Sequence, residues 1–122
     1  MALWLTYEER ELGAHYGHAL EEANGEYFGV KRLVEPDGSK AGNIFVYTGD
    51  ADWAFAVFDE DLERGPYRAD LKMKDARVVR LGRFELSGVE RTWGRDIVVD
   101  LRGAEAMRFH TPSGEVLVAD FR

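Results

Sequence analysis

Residues 51–64 read ADWAFAVFDEDLER, and the stretch carries two periods at once. Ala54, Val57, Phe58 and Leu62 recur as one face of a helix would, whereas Trp53, Phe55 and Val57 alternate as on a strand. The alanines and the Gly65-Pro66 stop favour the helix. The acids Asp59, Glu60, Asp61 and Glu63 near its C-terminal end oppose the macrodipole such a helix would have, and the strand stays open. With the helix, the chain reads as α+β: a mostly antiparallel sheet, an N-terminal helix and this second short helix.

Upstream, Thr6 to Ala23 reads as the N-terminal helix. Thr6 and Glu9 form a capping box, Leu12, Tyr16, Ala19, Leu20 and Ala23 make an apolar stripe, and Asn24-Gly25 supplies the left-handed stop. Glu26 to Glu35 reads as a strand, Pro36-Asp37-Gly38-Ser39 as a turn, and Ile44 to Thr48 as a short apolar strand. Downstream the period becomes two. Tyr67, Ala69, Leu71 and Met73 alternate with Arg68, Asp70, Lys72 and Lys74, the pattern of a half-buried strand. Val78-Val79 with Leu81, then Phe84 and Leu86, then Ile97, Val99 and Leu101 suggest three further strands. Met107 and Phe109, a turn at Thr111-Pro112-Ser113-Gly114, and Val116 to Phe121 close as a β-hairpin.

The 122 residues suit one domain, 1–122, with no linker or repeat. No apolar run reaches the ~20 residues of a membrane helix, so no membrane role is expected. With no cysteine, disulfides, thiolate chemistry and Cys-ligated zinc are excluded. Glu8 and Glu9 come soon after Met1 to Leu5, unlike a secretory signal, so the expected location is cytoplasmic. The net charge of −7 disfavours tracking a nucleic-acid backbone and suits a protein partner, a basic one included. The charge is uneven: residues 1–66 hold 14 acids and five bases, residues 67–122 nine and eleven. Packing of one half on the other would neutralise part of this.

Several side-chain groups could carry chemistry. His15 and His18, with Glu11 and Glu22 nearby, could hold a metal, but their spacing of three favours two solvated histidines, and no metal is expected. Asp59, Asp61 and Glu63 alternate like the start of a calcium loop without its glycine or closing glutamate. No G-x-S-x-G elbow and no phosphate-binding G-x-x-x-x-G-K-[ST] loop occurs. Arg77, Arg80, Arg83, Arg91 and Arg95 could grip phosphates or carboxylates, or pair with Glu85, Glu90 and Asp96 on strand faces.

Three segments resemble small ADP-ribosyltransferase-like domains: the opening Met1 to Thr6, the strand-then-helix unit Asn43 to Ala54 with its return at Gly65 to Leu71, and the closing hairpin Met107 to Asp120. The resemblance implies NAD as cofactor and transfer of ADP-ribose to a macromolecule. It also implies Tyr47 against the nicotinamide, Trp53 supporting the pocket, and Glu115 as the acid stabilising the oxocarbenium-like charge. Leu5 stands where such domains carry an anchoring His or Arg, so His15 or His18 would have to bind the ribose. Tyr47 and Glu115 must then face a common hollow. The alternative is a protein that binds and inhibits a protein partner without catalysis.

Overall fold

The structure, a computed structural model, describes residues 27–49 and 51–121. Eight strands account for most of them: β1 Tyr27–Val34, β2 Lys40–Thr48, β3 Asp52–Phe58, β4 Gly65–Met73, β5 Val78–Leu86, β6 Thr92–Ile97, β7 Ala104–His110 and β8 Val116–Asp120. All neighbours pair antiparallel, in the order β5-β4-β7-β8-β1-β2-β3-β6. The sheet curls so that its outer strands β5 and β6 approach each other, giving a nearly closed barrel. Among the described residues no helix is long and apolar enough to cross a membrane.

The expected α+β class is therefore corrected to all-β. The helix expected at residues 51–64 is replaced by β3, whose Ala54, Ala56 and Phe58 join the barrel core while Trp53, Phe55 and Val57 lie on the other side. Ala54 to Phe58 are all buried, and a strand buried on both faces shows no polar alternation. Its alanines are small interior residues, Ala56 standing opposite Trp93 of the neighbouring strand, and not helix formers. Gly65-Pro66 opens β4 instead of ending a helix. The expected N-terminal helix, Thr6 to Ala23, lies outside the described residues.

Other readings hold or shift slightly. The Pro36–Ser39 turn forms: Asp37 Oδ1 accepts from Ser39 N at 2.9 Å and from Ser39 Oγ at 2.6 Å, and these bonds hold its carboxyl below the usual range. The two apolar groups at 78–81 and 84–86 belong to one strand, β5, carried past an irregularity by Gly82 with φ at 108°. The alternation through Ile97 does not run on to Leu101. Asp100 Oδ1 accepts from Arg102 N at 2.9 Å and caps a short 3-10 turn, Leu101–Gly103.

The barrel interior is filled unevenly. Phe58, Tyr67, Phe84, Trp93 and Phe109 converge at one end, with Phe109 edge-on to Phe58 at 5.1 Å and to Trp93 at 5.3 Å between ring centroids. Two contacts bring β5 to β6. Phe84 and Trp93 lie 5.9 Å apart, and the Arg95 guanidinium donates to the Leu81 carbonyl. The opposite end, around Lys31, Thr48 and Leu101, keeps a cleft.

Candidate functional site

Strict alternation sends Tyr67, Ala69, Leu71 and Met73 of β4 inward and Arg68, Asp70 and Lys72 outward. On β7, Met107 and Phe109 are core residues, so Arg108 and His110 face outward too. The register then fixes a grid on the barrel's outer face. Arg83, Arg68 and His110 form one row across β5, β4 and β7; Arg80, Asp70 and Arg108 form the next. Neighbours within a row have Cβ atoms about 5 Å apart, and the rows are roughly 7 Å apart along the strands. Four arginines and a histidine surround one carboxylate.

That carboxylate is fully engaged. Arg108 Nε donates to Asp70 Oδ1 at 2.7 Å, and His110 Nε2 lies 2.8 Å from Asp70 Oδ2. The Asp70 side chain is only 10% exposed, so the three groups form a sheltered, charge-assisted cluster. Arg68, Arg80 and Arg83 are exposed, and their side chains make no hydrogen bond or ion pair among the described residues. Arg68 faces Arg83 directly across the ladder, an arrangement that costs stability unless an anion joins them. Val116 and Val118 of β8 stand beside His110 and Arg108 and give the face a half-buried apolar flank.

The five arginines singled out in the sequence divide. Arg80 and Arg83 enter the grid. Arg77 is bound to Asp75 at 2.8 Å, Arg91 donates to the Ser87 carbonyl at 3.0 Å and to the Asp59 carbonyl, and Arg95 serves the barrel seam. Arg68, Asp70, Arg108 and His110 are not among the sequence candidates. Their signal lies in the two alternating stretches, but only strand register brings residues 40 apart together.

Tyr47 and Trp53 do neighbour each other, with ring centroids 6.1 Å apart and opposed Cα positions in β2 and β3. Tyr47 is buried and Trp53 half-buried. Glu115 is exposed in the β7–β8 turn, where its N–H donates to Thr111 Oγ1 at 3.1 Å. Tyr47 is level with Phe28 at the start of β1, whereas Val118 is already level with Val34 at its end and Glu115 lies past it. The phenol and the carboxylate thus sit at opposite ends of the barrel wall. His15 and His18 lie outside the described residues. The strand-then-helix unit of the transferase resemblance is two strands, β2 and β3. Asp59, Asp61 and Glu63 do not converge: Glu63 Oε2 accepts from Ser113 Oγ at 2.7 Å.

No family model, curated protein or solved structure matches this chain.

Proposed function

We propose that the protein is a binding module that docks an acidic protein segment on the outer face of β5, β4 and β7. The facing pair Arg83–Arg68 carries this reading. Two guanidiniums held side by side by strand register favour a partner whose carboxylates enter between them. The chain's negative total points to a basic partner, but the charge on this face points the other way.

A protein segment suits the face better than a nucleic acid does. The grid carries no Phe, Tyr or Trp ring on which bases would stack, and its one imidazole, His110, is held against Asp70. Its flank is Val116 and Val118, which would cover apolar side chains of a peptide. A long polyanion would also meet the repulsion of a chain with net charge −7.

The test is fluorescence anisotropy with a labelled Glu-rich decapeptide that includes valines, at low and moderate salt. Binding should weaken with salt and fall at least tenfold in Arg68→Glu and Arg83→Glu. Unaltered binding in both variants, or tenfold tighter binding of a single-stranded oligonucleotide, overturns the reading.

A further inference from the structure

The end of the barrel away from the aromatic cluster keeps a cleft of about 430 Å³. Its position follows from strand pairing. β1 has eight residues, yet its register with β8 is limited to Leu33–Ala119 and Val34–Val118. Toward its start β1 loses that neighbour, and the wall opens between β1 and Phe121, just past β8. Val46, Leu101, Ala104 and Phe121 line the cleft, and Thr48 adds a hydroxyl.

Lys31 is the unexpected member. Alternation along β1 places it on the same side as Leu33, which is wholly buried in the barrel core. An inward position on a small barrel is ordinarily filled by an apolar side chain. Lys31 is half-buried there, and its side chain has no hydrogen bond or ion pair among the described residues. The other cations at the cleft are committed: Lys74 Nζ donates to the Arg102 carbonyl at 3.0 Å, and Arg102 Nε is paired with Asp100 at 3.0 Å. An ammonium aimed over an apolar floor without a counter-ion is costly unless an anion completes it.

We infer that this mouth binds a small amphipathic carboxylate, with the carboxylate on Lys31 and the hydrocarbon against Val46, Leu101 and Phe121. The volume lies in the range of small-molecule sites, and apolar lining with one placed charge is their usual composition. The inference is independent of the outer arginine face, which lies on the barrel's exterior and shares none of the residues that line the cleft.

Titration calorimetry of the full chain with octanoate, and with octanol as the neutral probe of equal tail, tests it. Octanoate should bind, octanol at least fivefold more weakly. Lys31→Met should remove the preference for the carboxylate while leaving octanol binding unchanged. Val46→Trp, which fills the floor, should abolish both. Failure of octanoate to bind, equal binding of the two probes, or an unaltered preference in Lys31→Met overturns the assignment. None of these results depends on the Glu-rich peptide, so the two sites fail or stand separately.

Discussion

Arg68 stands directly opposite Arg83 across the β4–β5 ladder, and neither guanidinium has a partner among the described residues. Like charges so placed destabilise a sheet, by an amount comparable to the about 0.2–1 kcal/mol that a matched pair contributes. Arg83→Glu should therefore raise stability by roughly 0.5 kcal/mol, read as a higher midpoint in urea. The same variant should lose binding of the acidic peptide. A gain in stability with a loss of binding is the signature of a residue kept for recognition; a loss of both would mark Arg83 as structural.

Asp70 holds Arg108 and His110 on its two oxygens at 2.7 and 2.8 Å, in a setting that is mostly sheltered from water. Asp70→Ala strands the Arg108 charge and leaves both donors short of an acceptor. The expected cost is about 1–3 kcal/mol in denaturant unfolding. Asp70→Asn, which keeps the shape and one acceptor oxygen, should recover part of it. Equal stability of wild type and Asp70→Ala would show that the cluster contributes nothing to the fold.

Much of the sheet is readable in the sequence because β4, β7 and β8 each have one wet face. Arg68, Asp70 and Lys72 alternate with core residues, and the Thr111–Gly114 turn joins β7 to β8 as its residue types predict. β3 is not readable in the same way. Ala54 to Phe58 are buried on both sides, so a continuous apolar run replaces the alternation that identifies a strand. The arginine face is half legible. Arg80 and Arg83 stand out as a local run of bases, but their neighbours Arg68, Arg108 and His110 come from two other strands, and no local pattern encodes that register.

Tyr67 gives the fold an alkaline limit. Its ring is wholly buried, its hydroxyl donates to the Glu63 carbonyl at 2.6 Å, and burial with the nearby Glu63 carboxylate pushes its pKa from 10.0 up to about 12. The sign follows from proton counting. Below pH 10 the phenol is neutral in both states and costs nothing. Between 10 and about 12 the unfolded chain releases the proton while the folded chain keeps it, so stability falls as pH rises. Melting temperatures at pH 8, 10 and 11 should decline more steeply for wild type than for Tyr67→Phe above pH 10. Parallel curves would mean that the phenol ionises freely in the folded protein.

Two glycines separate backbone strain from steric exclusion. Gly38 sits in the β1–β2 turn with φ at 88° and open space where a Cβ would stand, so Gly38→Ala should cost only the left-handed penalty of about 1–2 kcal/mol. At Gly42 a Cβ would lie 2.2 Å from the Val57 carbonyl oxygen, a main-chain atom of β3 that cannot turn aside. Gly42→Ala must therefore push β2 from β3, and the expected loss exceeds 3 kcal/mol, more than overpacking of an ordinary core site costs (about 1–3 kcal/mol). Chemical denaturation of the two variants side by side checks the order. A Gly42→Ala protein as stable as Gly38→Ala would show that β2 and β3 do not approach as closely as this register requires.

The barrel closes between two strands that contribute no register pair to one another, and Arg95 carries much of that closure. Its guanidinium reaches from β6 to the Leu81 carbonyl on β5, close to Gly82, where a side chain on residue 82 would stand 3.5 Å from an Arg95 nitrogen. The Phe84–Trp93 contact holds the same seam nearer the aromatic end. Arg95→Met keeps the apolar stem and removes the donor, leaving the Leu81 carbonyl to water. The seam should then open locally without global unfolding, because β5 stays paired to β4 and β6 to β3. Hydrogen exchange should quicken at least tenfold in amides of β5 and β6 and remain unchanged in β1 and β2. Uniform acceleration throughout the chain would mean instead that Arg95 stabilises the whole fold, and that the seam has no separate opening of its own.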